Sequence, residues 1–228
     1  MNWAYRITKR DKVAFALGSV FAIIILANWF ASHSIEKVSN QFRSVYQDRL
    51  VPSLVISDVM ERYYQNRMTL EEHILSNSVG EQDSLYGVVE ANTAEIASLI
   101  NQFEKTYLIE RESRGLAEYK KQFQNLVTVQ DRILELSSSG NKTKAEHLYR
   151  SEAHTAFLHL MEPLHELIQV QGEVGQELYQ SADRQVKTLK VLSYLVIGMS
   201  VFIALLVATL LQATRKLNNI KPQNYHLN

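Results

Sequence analysis

The chain has 228 residues, no cysteine, and equal numbers of basic and acidic residues (24 each), so its formal net charge is +0 at pH 7. This balance gives no electrostatic reason to expect nucleic acid as a partner. The lack of cysteine in the sequence excludes disulfides, thiolate metal sites and haem attachment through cysteine.

The first predicted element is a membrane helix over residues 13–31. This nearly uncharged run is long enough to cross a bilayer, and it follows a basic N-terminal segment, residues 1–12. A cleaved signal peptide shares these features. However, bulky Trp29 and Phe30 stand where cleavage needs small residues, which favours a membrane span.

Residues 32–190 are predicted to form four helices. The chain has 3 prolines and 8 glycines, and the turn signals of this segment fall at residues 76–80, 110–115 and 137–141. Apolar residues repeat every three or four positions between the turns, which is typical of bundle seams. We expect an all-α, antiparallel up-and-down four-helix bundle with helices at 32–76, 81–109, 113–137 and 142–190.

A second apolar run, residues 191–211, predicts a second membrane helix, and the short segment 212–228 follows it. Basic residues lie next to both runs, and short basic flanks normally remain in the cytoplasm. We therefore expect both termini to be cytoplasmic and residues 32–190 to lie on the opposite side. The flanking basic residues are Arg6, Lys9, Arg10, Lys12, Arg215, Lys216 and Lys221. The aromatic residues expected at the membrane faces are Trp3, Tyr5, Trp29 and Tyr194.

The predicted helix lengths indicate self-association. The second and third helices are shorter than the first and fourth, so only two helices per chain are expected close to the membrane. Their apolar seams would be incompletely covered there. A second copy of the chain would complete a four-helix stalk, and we predict a parallel homodimer.

Several polar residues interrupt the seams at similar depths from the loop end. They have two interpretations: a buried layer that fixes helix register, or a pocket for a small polar ligand in which amides and arginines recognise the bound molecule. The candidate ligand-binding residues are Arg62, Asn66, Arg67, Asn92, Gln130, His154 and Thr155.

Other polar features favour structural roles. Arg49 lies on a seam and is expected to pair with Asp48 or with a carboxylate of the fourth helix. Pro52 and Pro163 are expected to kink their helices, and such a kink offers either a tolerated bend or a hinge. Glu162 and His165 match half of a di-iron motif, but the second half is absent from the sequence, so we predict no metal site and no cofactor.

The sequence supports no catalytic residues. No Ser-His-Asp arrangement, Gly-rich phosphate loop or pair of buried carboxylates stands out in it. We therefore predict that the protein is not an enzyme.

The layout of a span, a long helix, two shorter helices, a long helix and a span resembles the periplasmic four-helix-bundle domain of bacterial methyl-accepting chemotaxis receptors. The stretch VYQDRLVPSL at residues 45–54 resembles the first helix of that family, in which Tyr, Asp-Arg-Leu and Pro recur together. The resemblance implies a sensor of the bacterial inner membrane with a periplasmic ligand-binding domain. Because those receptors use arginines for ligand binding, it also implies roles for Arg62 and Arg67.

The resemblance covers roughly residues 8–216, and residues 214–217 correspond only to the start of the linker that leads to the cytoplasmic signalling half of those receptors. Three alternatives follow: the sequence is a fragment, the protein signals through a separate membrane partner, or it does not signal. We therefore expect a chemoreceptor-like sensor that binds a small molecule or a partner protein. The alternative hypothesis is a scaffold of the cell envelope that binds no ligand.

Overall fold

The computed structural model describes the backbone of residues 10–218 and the side chains of residues 18–206 and 209. In this part of the chain all regular structure is helical, which confirms the all-α prediction. The helices are α1 (Arg10–Ser44), α2 (Val51–Leu75), α3 (Val79–Glu104), α4 (Glu110–Ser138), α5 (Lys142–Leu148) and α6 (His154–Asn218), and π-helical turns occupy Val45–Leu50 and Tyr149–Ala153.

The residues behind the predicted orientation mostly lie outside this description. Trp3, Tyr5, Arg6, Lys9 and Lys221 are outside the described residues, and the side chains of Arg10, Lys12, Arg215 and Lys216 are likewise not described.

The helices form two compact units. The first unit, Gln41–Gln180, is a four-helix bundle. Its first helix is the end of α1 with α2, its second is α3, its third is α4, and its fourth is α5 with the first part of α6. The second unit combines Met1–Asn40 with Ser181–Asn228.

Hydrogen bonds between helices show that the bundle runs up and down. Successive residues along α2 bind residues of decreasing number on α3, so α3 is antiparallel to α2. They bind residues of increasing number on α4, so α4 is parallel to α2. Successive residues of the first helix bind residues of decreasing number on the fourth helix, so the fourth helix is antiparallel to the first, as the predicted up-and-down topology requires. The pairs are Arg62 with Glu95 and His73 with Gln82 (α3), Tyr63 with Tyr119 and His73 with Ser137 (α4), and Arg49 with Gln171 and Arg67 with His154 (α6).

The connection between the second and third helices differs from the prediction. The break expected at residues 110–115 is wrong, because α3 ends at Glu104 and α4 begins at Glu110. The Glu112 carboxylate accepts a hydrogen bond of 2.7 Å from the backbone N–H of Ile109 and so caps α4 at this point. Gly115 lies within α4, where an added Cβ would come 3.1 Å from Cδ2 of Leu167. Its role is therefore close helix packing.

Two apolar clusters form the bundle core. The larger one lies toward the end where the chain enters and leaves the bundle, called here the basal end. The smaller one lies toward the loops at 76–78 and 139–141, called the distal end. The larger cluster includes Val55, Ile56, Val59, Ile96, Phe103, Leu116, Leu126, Leu160, Leu164 and Leu167, and the smaller one includes Leu70, Ile74, Val89, Val129, Ile133, Leu134, Ala145 and Leu148.

Arg49 is buried at the basal end of the core. Its Nη1 donates to Glu112 Oε1 at 2.9 Å and to Gln171 Oε1 at 3.3 Å, and the three side chains are only 5%, 0% and 1% exposed. The predicted partners were wrong, because the carboxylate comes from the third helix and Asp48 instead accepts a hydrogen bond from Ser44. The cluster joins the first, third and fourth helices of the bundle.

The two prolines lie in different local settings. Pro52 stands at the start of α2, directly after a π-helical turn, where its missing N–H removes little regular hydrogen bonding. Pro163 lies inside α6, which continues on both sides of it. For each proline, the tolerated bend and the hinge both stay predictions.

A buried polar cluster closes the distal end. His73 Nδ1 lies 2.9 Å from Ser137 Oγ, and the Ser137 hydroxyl donates to the main-chain oxygen of His73 at 3.0 Å. The ring nitrogen Nδ1 therefore carries the proton of the neutral imidazole. Gln82 donates to the same oxygen at 3.1 Å, and Lys142 binds the loop through Asn77 at 2.7 Å.

The pKa of His73 is lowered, chiefly because burial disfavours the charged imidazolium. Asp83 raises the pKa and Lys142 lowers it, and these two effects oppose each other. The folded bundle therefore prefers a neutral His73.

The second unit contains apolar helices. Among the described residues, α1 and α6 each include a stretch long and apolar enough to cross a membrane, and none of either stretch is buried by protein. Many large apolar side chains of this unit are exposed, including Phe21, Ile25, Leu26, Trp29, Tyr194, Leu195, Phe202 and Leu205.

Replacing Glu112 with Gln tests the Arg49 cluster. The variant keeps the side-chain size but leaves the buried guanidinium without a counter-charge. We expect the free energy of unfolding to fall by about 3–5 kcal/mol. The measurement is a urea titration of the full chain in detergent micelles, followed by far-UV circular dichroism. The matched control, Glu118→Gln on the exposed face of the same helix, should leave the free energy of unfolding nearly unchanged. Equal effects of the two variants would contradict a special role for the pair.

Acidification tests the distal cluster. Because the pKa of His73 is lower in the folded state, the unfolded state binds more protons below about pH 6.5. The free energy of unfolding should therefore decrease as the pH is lowered through this range, by at most about 1.4 kcal/mol per pH unit from this group. Thermal unfolding midpoints between pH 7.5 and 5 should drop less steeply for His73→Asn than for the unchanged chain. The exposed control His165→Asn should retain the original slope. An unchanged slope in His73→Asn would rule out this contribution.

Candidate functional site

Two of the predicted site residues form a buried amide pair. Asn92 Nδ2 donates to Asn66 Oδ1 at 2.9 Å, and Asn66 Nδ2 donates to Thr93 Oγ1 at 3.4 Å. Asn66 is 0% and Asn92 7% exposed. The pair connects α2 to α3 through side chains that largely satisfy each other.

The amide pair lies between the two apolar clusters. On α2, Asn66 separates Tyr63 of the larger cluster from Leu70 of the smaller one, and on α3, Asn92 separates Ile96 from Val89 in the same way. A polar layer at this position disfavours axial sliding of the helices, because any shift would bury an unpaired amide. This geometry supports a register-fixing role.

Gln130 lies at the same level on α4 but does not join the pair. It lines a groove of about 340 Å³ between α3 and α4, together with Thr93. Gln130 is 5% exposed, and its side chain makes no hydrogen bond to any residue that the structure describes. The other lining residues are Tyr86, Val89, Glu90, Ala94, Ala97, Phe123, Val127, Asp131 and Leu134.

Arg67 and His154 meet on the surface between α2 and α6. Arg67 Nη2 lies 3.1 Å from His154 Nδ1, and the guanidinium carbon lies 4.9 Å from the centre of the Phe157 ring. The stacked guanidinium is held by a cation–π contact. Tyr149 Oη also donates to the backbone oxygen of Arg67 at 3.2 Å. Arg67 is thus oriented by contacts within the bundle.

The two remaining predicted residues stand apart from the amide pair. Arg62 donates to Glu95 at 2.8 Å and to Gln65 at 3.1 Å on the partly exposed surface. Thr155 is exposed, and its hydroxyl donates to the backbone oxygen of Ser151 on its own helix at 3.1 Å. The structure therefore distributes the predicted set over the amide pair, the groove and three surface positions, one of which is shared by Arg67 and His154.

A tyrosine pair was not singled out from the sequence. The hydroxyls of Tyr63 and Tyr119 lie 2.7 Å apart, and both rings are 2% exposed. Burial raises the pKa of Tyr119 to about 12 and also raises the pKa of Tyr63. Both phenols therefore stay neutral at physiological pH and link α2 to α4. Their seam spacing marks them as buried, but spacing cannot show that two hydroxyls meet.

A second, more polar groove of about 490 Å³ lies between α4 and α6. It is lined by Arg111, Arg114, Gly115, Glu118, Gln122, His159, Glu162, Pro163 and Glu166. Arg111 binds Glu173 at 2.6 Å and Glu166 at 3.3 Å, and these contacts raise the pKa of Arg111. Glu162 of the half di-iron motif lines this groove. Within the described residues no group of three or more His, Asp or Glu side chains is arranged to hold a metal ion.

Comparison with known proteins identifies the family. A search of curated proteins found no match. The sequence model of a protein family, described as a four-helix bundle sensory module for signal transduction, matches residues 6–186 of the chain. The matched range contains the whole bundle, with its amide pair and both grooves. The chain therefore belongs to the four-helix bundle sensory module family of the chemotaxis receptor type.

Proposed function

We propose that this protein is a membrane-bound sensor that binds a small molecule through its bundle and transmits a helix displacement across the inner membrane. The family membership carries this proposal, since the matched module serves signal transduction. Two apolar helices that suit membrane spans support it.

The proposed location follows from the sequence flanks. Basic residues on both sides favour cytoplasmic termini and therefore a periplasmic bundle. A small polar molecule arriving from outside the cell would then reach the bundle without crossing the inner membrane.

The proposed signal route uses the helices that continue from the bundle into the apolar segments. α6 is one helix from His154 to Asn218, so it includes both the fourth bundle helix and the second apolar run. A shift of α6 along its axis needs no hinge in a loop. The downstream partner in this proposal is a membrane signalling protein or a further signalling segment.

The surface of the first helix supports a homodimer. Large apolar side chains are exposed at steps of four residues near the basal end: Phe42, Tyr46, Leu50 and Leu54. Phe42 contacts Tyr179 of the fourth helix edge to face, with ring centres 6.2 Å apart, and both rings stay about half exposed. A second copy packed along this stripe would remove these side chains from water, which is favourable.

The alternative function is a scaffold in the cell envelope that binds no small molecule. The register-fixing geometry of Asn66 and Asn92 is compatible with a rigid spacer. Family membership favours the sensor and a non-enzymatic role, because sensory modules of this kind typically carry no catalysis.

Cysteine crosslinking tests the dimer. The chain has no native cysteine, so single-cysteine variants are clean probes. In membranes, Leu54→Cys should form a disulfide-linked dimer under mild oxidation, because equivalent residues of a parallel dimer come within the Cα separation of roughly 7 Å that a disulfide needs. Gln124→Cys, which is exposed on α4, should remain monomeric on denaturing gels. Equal crosslinking at both positions would indicate random collisions and contradict the proposed interface.

A thermal-shift screen tests the sensor. The full chain in detergent micelles is heated with amino acids, organic acids, amines and divalent metals. We expect at least one compound to raise the unfolding midpoint by several degrees, because a ligand at 100 times its Kd stabilises the folded state by about 2.7 kcal/mol. A folded dimer that responds to no compound would favour the scaffold.

A further inference from the structure

The groove between α3 and α4, defined above by its lining residues, contains a glutamine amide that opens into it. Gln130 is 5% exposed and lacks a hydrogen-bond partner among the described residues, although it lies on the wall of an open groove. Most of the Gln130 side chain is covered by protein, while its amide atoms remain accessible from the groove and free to bind a molecule there. An amide in this position points to a ligand or to ordered water as its partner.

The charge of the groove limits the ligand class. Glu90 and Asp131 are its ionisable carboxylates, and its lining includes no Lys, Arg or His. Neither carboxylate forms an ion pair or hydrogen bond with the residues that the structure describes. The groove therefore favours a cation and disfavours an organic acid.

The remaining walls are apolar and the space is small. Tyr86, Phe123 and Val127 give it aromatic and aliphatic surfaces, and Ala94 and Ala97 leave room on the α3 side. A volume of about 340 Å³ lies at the low end of the roughly 300–1,000 Å³ typical of small-molecule sites. Aromatic rings also attract an ammonium group through their faces.

We propose that this groove binds a small organic amine, with its ammonium group near Glu90, Asp131 and Gln130 and its apolar body against Phe123 and Val127. The Gln130 carbonyl oxygen accepts a hydrogen bond from the ammonium and so gains a partner. This proposal specifies the ligand class of the proposed sensor and rests on that function.

The groove is linked to the first helix of the bundle. Thr93 lines the groove, donates to the backbone oxygen of Val89 at 2.7 Å, and accepts a hydrogen bond from Asn66 of α2 at 3.4 Å. A ligand that contacts Thr93 competes for, or reinforces, this long hydrogen bond. The amide pair thus gives occupancy of the groove a direct effect on α2.

Three probes of equal framework test the ligand class. The full chain in detergent micelles is titrated with 2-phenylethylamine, 2-phenylethanol and phenylacetate, which carry a cationic, a neutral and an anionic head group. Binding is followed by isothermal titration calorimetry and by the thermal unfolding midpoint. We expect the amine to bind, the alcohol to bind more weakly, and phenylacetate not to bind.

Variants locate the site. Gln130→Leu should weaken amine binding about tenfold or more, as expected for losing a hydrogen bond to a charged group, and Asp131→Asn should weaken it about threefold, since its charge is exposed. Ala97→Leu fills the groove without burying a polar group and should abolish binding. The matched control, Ala91→Leu on an exposed part of α3 outside the groove, should bind as the unchanged chain does.

The outcomes separate the ligand class from the sensor function. Amine binding that persists in both Ala97→Leu and Gln130→Leu would overturn the site. Tighter binding of phenylacetate, or a thermal shift with organic acids and none with amines, would overturn the ligand class while the sensor stands. If no compound of any class binds the folded chain, both the ligand class and the sensor fail.

Discussion

The buried ion pair between Arg49 and Glu112 is the constraint on which the arrangement of the bundle depends. A guanidinium and a carboxylate with 5% and 0% exposure are stable only when paired, so the first and third helices have one permitted alignment at this level. Glu112 also caps α4 through the N–H of Ile109, which fixes where the third helix begins. Gln171 adds the fourth helix to the same cluster. Among the helices that the structure describes, the first and fourth continue toward the basal end from here.

Polar contacts recur along the bundle, and each connects a different set of helices. The Arg49 cluster is followed by the tyrosine pair, the amide pair of Asn66 and Asn92, and the cluster around His73, with apolar clusters between them. Apolar packing alone tolerates small slides because the hydrophobic effect is not directional. The polar contacts are directional, so they select one register. A change of register would therefore break hydrogen bonds at these few polar contacts.

The sequence alone predicts the helices and much of the polar layer, but it does not predict partners. A seam spacing of three and four residues assigns a face to Asn66 and Asn92, and counting from the loops gives both the same depth, as observed. The same method placed Thr155 with them, although its hydroxyl binds its own helix, because one residue along a helix rotates a side chain by about 100°. The partner of Arg49 was wrong since periodicity gives a face and leaves the pairing between helices open. The start of α4 was missed because Gly115 was taken as a turn signal, whereas it serves close contact with Leu167.

These observations bear on how a ligand in the groove would act in the proposed sensor. The groove lies between α3 and α4, while the helices that continue toward the apolar segments are the first and the fourth. A signal must therefore pass from the groove into α2 or α6. The 3.4 Å hydrogen bond between Asn66 and Thr93 is long, so it is weak and readily strengthened or broken by a neighbour. A typical net hydrogen-bond contribution of about 1 kcal/mol already changes an equilibrium about fivefold, which lies at the lower limit of ordinary allosteric coupling. One polar contact at the amide pair is thus sufficient to couple occupancy of the groove to the first helix.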